Sequence, residues 1–588
     1  MTAASAMRAL KEAERLFAAG ELDASHDLLA QVHHADPAYP YALYLRAMMM
    51  AAAGHRQQGC ALLEEACRLR PKSRDMQALR ARIYADLGRA EDALDILSKL
   101  AEAGNMNAAM ALDRGTLARR LGKFKLAMES YDAALSLDPG LTHAWSGKAN
   151  LLHEHGYYAE ALRCHDEALA REPDSVEVIC NRTATLNRLG RLEEAFAESN
   201  RALELAPNDA GAWTTRGCTL VQMEDAKQAM RCFEQALHID SGHRPAHANR
   251  ASTLAALGKH QEALKLLEEA MKLAQAYPSE LATLRAKEGM LRLMLGDWRG
   301  WEGYEHRLVH DTLPAVHDLL APRWTGKEAL AGKTILIWSE QGYGDTIQFC
   351  RYAACLAERG ATVLLEVPAP LLNLCRQLPV ASIRVRGETL PPHDFQISMM
   401  SMPLALGPRT AIPLPHAYLR APDEKVQRWT ARLAPRGRRP RVGIVCSGSP
   451  HNNGNATRSM PLAAFAPLTE HAELIVLQPE LTLEDSSTLQ NMSGIMKAEV
   501  DINDFTDVAG LIANTDLVLS VDTAIAHLTG ALGHPLWVLL PWQAEWRWMT
   551  GRHDTPWYNS ARLYRQSSRG CWDSVIAAVA QAMAEEFC

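Results

Sequence analysis

The stretch AWSGKANLLHEHGYYAEALRCHDEALAREP (Ala144–Pro173) reads as two helices joined at a glycine. Small and apolar residues recur at helical spacing on both sides of Gly156, and Pro173 stops the second helix. The same pattern recurs along the chain. Gly20, Gly54, Gly88, Gly122, Gly156, Gly190 and Gly258 share one phase of a 34-residue period, broken only at Glu224. Five residues after that position stand Ala93, Ala127, Ala161, Ala195, Ala229 and Ala263, and twelve after it Ala66, Ala134, Ala168, Ala202, Ala236 and Ala270. Pro37, Pro71, Pro139, Pro173 and Pro207 close their units. The alanines let paired helices approach, the glycine turns the chain, and the proline ends each unit.

This array resembles the tetratricopeptide repeat family, with about eight units over residues 6–275. The segment LRAKEGMLRLMLGDWRGWEGYEHRL (Leu284–Leu308) reads as a degenerate ninth unit that caps the stack, so residues 276–321 form a cap and linker. The resemblance implies a concave face that binds extended or helical peptide. Nine residues before the glycine stand Asp113, Gly147, Asn181, Thr215 and Asn249. Asn181 and Asn249 are candidates for bonding a peptide backbone, as the asparagine ladder of the nucleocytoplasmic GlcNAc transferase does. The same positions also read as ordinary polar residues on a groove wall.

Beyond this the texture changes to short β-rich runs alternating with helical ones: KTILIWSE, ATVLLEV and HDFQISM, then RVGIVCSG, ELIVLQ, TDLVLSVD and PLWVLLP. Alternation of this kind predicts parallel sheets with crossovers. The basic stretch RLAPRGRRPR (Arg432–Arg441) reads as a solvated linker between lobes at 322–431 and 432–588. The fold class expected is therefore an N-terminal α-solenoid followed by an α/β module of two lobes.

Open α/β sheets take ligands at the carboxyl ends of their strands, and three such ends carry chemistry. In WSEQGYGDTIQFCRY (Trp338–Tyr352), Gly342 and Gly344 permit tight geometry and close ligand approach. Asp345 opens the next helix, as a cap or as an acid facing the cleft. In SVDTAIAHLTGALGHP (Ser520–Pro535), a strand ends at Asp522 and a helix starts near Thr523. The free amides and dipole of that helix suit a phosphate, Thr523 can donate its hydroxyl, and His527 lies on the same face to help neutralise charge. In VCSGSPHNNGNATRSMPLAAFAPL (Val445–Leu468), Arg458 stands where it can clamp phosphate with two parallel bonds.

These motifs resemble the family 9 glycosyltransferases, the bacterial heptosyltransferase type, over roughly residues 322–567. EQGYGDTIQFCRY, SGSPHNN…RSMPL and DTAIAHLTGALGHPLWVLLPWQAEWRW are similar to the repeat-fused relatives, as is GDWRGWEGYEHR before them. The resemblance implies a GT-B fold of two Rossmann-like lobes across a cleft. It further implies metal-independent transfer from a nucleotide-activated sugar, with no resident cofactor. With the repeats included, the architecture is similar to bacterial enzymes that glycosylate flagellin, in which the array holds the protein acceptor. A CMP-activated nonulosonic acid fits that resemblance; GDP-, UDP- and ADP-sugars stay open. Carried over residue by residue, Asp345 matches a proposed general base. Arg458 matches a basic residue near the donor phosphates, and Asp522, Thr523 and His527 match the donor-site motif. Gly344, Ser447 and Gln478 are placed with the donor site; Gln341, Gln348, Arg351 and His451 are placed on the acceptor side or in support. The loop HNNGNATRS departs from the relatives, which leaves His451, Asn452 and Asn453 without secure roles, and Glu545 stands where many carry Asp. The segment Pro541–Gln566, dense in Trp, Tyr and Arg, reads either as a stacking surface for base or sugar or as packing at the cleft rim.

The bulk properties agree with a soluble globular protein. A formal charge of −7 argues against a nucleic-acid coat, and no segment reaches the roughly 18 apolar residues of a membrane span. The N-terminus lacks the apolar core of a signal peptide, and the 12 scattered cysteines form no CxxC pair, which points to reduced thiols and a cytoplasmic location. No Asp-x-Asp metal motif occurs in the α/β half. Two other readings share these features: transfer to lipopolysaccharide or another glycan, and a repeat scaffold with a decayed sugar-binding half.

Overall fold

The computed structural model describes residues 3–310, 321–407, 412, 416–433, 435–448, 455–492, 494–497 and 502–587. They divide into two compact units, Met1–Asn249 and Arg250–Cys588.

The first unit is built of antiparallel helix pairs such as Thr142–Glu154 with Tyr158–Arg171, and Ala210–Gln222 with Ala226–Ile239. Each turn glycine adopts a left-handed conformation, from φ 69° at Gly122 to φ 85° at Gly54, and Glu224 is forced into the same geometry at φ 67°. The periodic alanines are fully buried at both positions. Where aromatics replace aliphatic residues in this core, glycines make room opposite them. A Cβ on Gly115 or Gly147 would stand 2.8 or 2.7 Å from the Tyr131 ring, and one on Gly217 would stand 2.5 Å from Phe233. Gly147 is thus a packing hole, which removes it from the polar ladder suggested by the period.

The second unit, from Arg250, includes the last repeat helices, His260–Leu273 and Pro278–Met294. The cap is an abbreviated unit, a short helix Gly300–Tyr304 followed by a 3-10 helix Glu305–His310. Gly289, Gly300 and Gly303 bring its backbones into contact; a Cβ on Gly289 would stand 2.2 Å from the Tyr304 nitrogen. Trp301 then packs edge-on against Phe349, Trp546 and Trp557, at ring separations of 6.1, 5.3 and 6.5 Å, fixing the cap to the α/β core.

Two all-parallel sheets follow. The first has the order β3-β2-β1-β4, with β1 Thr334–Trp338, β2 Thr362–Val367, β3 Ser382–Val385 and β4 Phe395–Ser398. The second has the order β10-β9-β8-β5-β6-β7. Its strands are β5 Arg441–Val445, β6 Glu473–Val476, β7 Ile495–Lys497, β8 Leu517–Val521, β9 Leu536–Leu540 and β10 Ala561–Arg565. Counted within itself, the second sheet runs 3-2-1-4-5-6, the doubly wound order whose ligand crevice lies at the β5/β8 switch point.

The helix Asp423–Arg432, assigned from sequence to the first lobe, packs on the second sheet's helix Phe505–Ile512, where the Trp429 indole donates to the Asp507 carbonyl at 2.9 Å. The arginine-rich stretch is exposed over 435–439, as expected of a solvated linker, and is tied down at two points. Arg436 pairs with Asp516 at 2.7 Å, and the buried Arg441 lies 3.5 Å from Glu473. No helix among the described residues is long and apolar enough to cross a membrane, and Cys60 and Cys67 share the buried face of Arg56–Leu69.

Candidate functional site

The carboxyl ends of β1, β5 and β8 open on one cavity of about 800 Å³ within the second unit. The first sheet contributes Gln341–Asp345, and the second contributes Ser447, Arg458, Gln478, Asp522, Thr523 and His527. The segments singled out from sequence therefore converge. Their individual roles differ from the expectation at several points.

The helix after β1 starts at Tyr343, so Asp345 sits in its first turn, where Oδ2 accepts from the Gly342 amide at 2.9 Å. Its Oδ1 accepts from the Arg547 guanidinium, which also pairs with Glu545 and donates to Gln348 Oε1 at 3.1 Å. Burial pushes the Asp345 carboxyl up while Arg547 pulls it down. Since both oxygens accept, Asp345 is the carboxylate of a buried ion pair and a helix cap. The space beside Gly344 belongs to protein, not ligand: a Cβ there would stand 2.8 Å from His527 Cδ2. Gly344 lets the two lobes' helices meet.

Gln348 and Arg351 lie behind the cavity, both with no exposed surface. Arg351 donates to the Trp557 carbonyl at 2.9 Å and to the Tyr418 hydroxyl at 3.0 Å, and sits over the Tyr418 ring. Both are supporting residues. Gln341, at the mouth, reaches the Tyr304 hydroxyl at 3.4 Å. Gln478 ties two strand ends together. Its carbonyl accepts from the Cys446 amide at 2.7 Å, and its amide donates to Ser447 Oγ at 2.8 Å.

At the switch point, the helix Ala524–Ala531 directs its first amides at the cavity, with Ala524 and Ile525 in the lining. Thr523 turns its hydroxyl inward: Oγ1 lies 3.1 Å from Ser520 Oγ, whose own proton goes to the Val521 carbonyl. Thr523 also lines the cavity, where its hydroxyl is engaged with Ser520. His527 is unsuited to neutralise charge. It is 5% exposed, stacked on Trp548 and bonded through Nδ1 to the Tyr558 hydroxyl at 2.9 Å. Burial, then Arg547, Arg351 and Arg458, hold its pKa well below the usual imidazole range, so the ring is neutral. Asp522, 6% exposed, is pushed up to about 7 by burial and the nearby Glu545.

Arg458 closes a short helix Asn455–Arg458 against the loop after β5, where a Cβ on Gly448 would stand 2.8 Å from its Nη2. Its buried Nε has no hydrogen-bond partner among the described residues. His451, Asn452 and Asn453 lie outside the described residues. Asn181 and Asn249 belong to the first unit and are half-buried on their helices, with Thr185 donating to the Asn181 carbonyl at 3.1 Å.

Two features escaped the sequence reading. Arg547 and Glu545 lie within the segment Pro541–Gln566, whose Trp546, Trp548, Trp557 and Tyr558 are buried packing residues; only its Trp542 is openly exposed among the tryptophans. Glu340, beside the glycine-rich loop, is bound in bidentate fashion by Arg307 of the cap at 2.7 and 2.9 Å. The density of Trp and Arg was a signal for the first. Nothing in the local sequence pairs Arg307 with Glu340.

Comparison with known proteins speaks to the repeats. Tetratricopeptide repeat family models match residues 79–142, 112–176 and 220–288, and the anaphase-promoting complex subunit 5 model matches residues 4–89. The curated Protein FlbA of Caulobacter vibrioides is 26% identical over 339 residues, covering 52% of this chain. The chain spans about half, 56%, of that relative's length. Among solved structures, a tetratricopeptide repeat protein from Parabacteroides merdae is 18% identical, covers 42% of this chain and 99% of its own, and has a TM-score of 0.37. A thermophilic tetratricopeptide repeat protein of Thermus thermophilus is 20% identical, with 32% and 99% coverage and a TM-score of 0.30. The family models show that the chain carries tetratricopeptide repeats, and it is similar over part of its length to Protein FlbA.

Proposed function

We propose that the protein is a glycosyltransferase of the two-lobed GT-B kind, which moves a sugar from a nucleotide-activated donor to Ser or Thr of a protein acceptor. The observation that carries this reading is the convergence of three strand ends from two parallel sheets on one cavity of about 800 Å³. Such a crevice at a switch point accommodates a ligand of nucleotide size. The amides of Ala524 and Ile525 and the Arg458 guanidinium meet the donor phosphate and stabilise charge as it develops on the leaving group. Asp345 orients the acceptor side through Arg547 and the capped loop. The repeats hold the acceptor, a flagellin-like protein, and act in the cytoplasm.

Intact-mass spectrometry of flagellin from cells with and without the protein tests the whole reading. A mass increment matching a sugar should vanish with the gene; identical masses would remove flagellin as acceptor. Calorimetric titration with CMP, CDP, UDP, GDP and ADP tests the donor half separately, and failure of all five to bind would remove the transferase reading.

A further inference from the structure

Resting on that donor site, we propose that Asp522 meets the donor phosphate as a neutral carboxylic acid, donating a hydrogen bond to it, so that nucleotide binding takes up a proton. Asp522 stands immediately before the amides that open on the cavity and is itself part of the lining, with 6% of its surface exposed. A carboxylate there would repel any phosphate seated on those amides.

The surrounding positive charges, Arg458 and Arg547, offset that repulsion only in part. Among the described residues, the basic atom within ion-pair reach is His527 Nε2 at 3.9 Å, on a ring held neutral by its burial. Arg547, the nearby guanidinium of the 3-10 helix Trp546–Trp548, is already paired with Asp345 of the first lobe and with Glu545. Glu545 adds negative charge from the same segment, and Arg458 acts from the loop after β5. The balance keeps the Asp522 carboxyl up at about 7, and an arriving phosphate raises it further.

The experiment is calorimetry of the full-length protein with CMP, CDP, UDP, GDP and ADP between pH 6.5 and 9, in buffers of different ionisation enthalpy. At pH 8 the wild type should take up close to one proton per nucleotide bound, and its affinity should fall about tenfold per pH unit above that. Asp522→Asn should lose the uptake, bind with little pH dependence, and bind about a hundredfold more tightly than wild type at pH 9. Binding without uptake, or equal uptake by the variant, would overturn this proposal and leave the donor site standing. Should the variant fail to fold, the wild-type affinity profile decides alone, and a flat profile sinks the idea. If none of the nucleotides binds the wild type, the donor-site reading falls and takes this inference with it.

Discussion

The two units handle charge and polarity in opposite ways. In the helical unit most ion pairs lie on the surface: Arg119 and Glu154 keep 28% and 47% of their side chains exposed, and Arg191 and Glu194 keep 45% and 53%; Arg182 and Glu198, at 17% and 21%, are an exception. In the α/β half, Arg547 and Asp345 retain 4% and 19%, and Arg307 and Glu340 retain 10% and 1%. Surface pairs contribute little, whereas removing one partner of a buried pair leaves an uncompensated charge. The array is thus a packing device repeated along its length, and the α/β half adds buried polar contacts beside its cavity to a large apolar core.

The severest test of this contrast is Arg547→Ala, which strands the carboxylate of Asp345. Denaturant unfolding should show a loss of about 3–5 kcal/mol in the α/β transition, while Arg191→Ala in the array should change stability by about 0–1 kcal/mol. Equal effects would erase the distinction.

His165 is the array's exception: fully buried, with neither ring nitrogen hydrogen-bonded among the described residues. Burial holds its pKa down at about 4 from 6.5. The unfolded chain therefore takes the proton first on acidification, so stability present above pH 6.5 drains away as pH falls toward 4. Unfolding followed by circular dichroism should show about 3 kcal/mol of such loss in the array, absent from His165→Phe.

Smaller effects probe the packing rule itself. Gly217→Ala drives a methyl into Phe233 and should cost about 1–3 kcal/mol, largely recovered by adding Phe233→Leu in a double-mutant cycle. Glu224→Gly relieves the left-handed backbone and should stabilise the array by about 1 kcal/mol in thermal unfolding. A destabilising outcome would show that Glu224 makes a contact worth more than its strain.

Legibility followed the same division. The repeat period located the left-handed turns at the seven phased glycines and at Glu224, because identical units impose identical backbone demands; Gly104, at φ 69° between Ala90–Glu102 and Ala108–Arg120, falls outside that phase. Seven of the strands were readable as apolar runs. The missed ones, β3, β7 and β10, all lie at sheet edges, where one side is unpaired and a run such as SIRV or ARLYR is only partly buried. At the site, strand ends and helix starts were legible, since a strand followed by a glycine-rich turn has few alternatives. Roles were not. Thr523, His527 and Gly344 took their functions from Ser520, Tyr558 and one another, partners that sequence spacing does not reveal.

Sequence alone determined the helical repeat, the change to parallel α/β structure and the three segments that carry chemistry, because periodicity and local backbone constraints act over a few residues. Only the tertiary structure decided that Asp345 is paired with Arg547, that His527 is neutral, and that the cap is bound to the glycine-rich loop through Arg307 and Glu340. Burial and pairing set ionisation, and both depend on residues tens to hundreds of positions away.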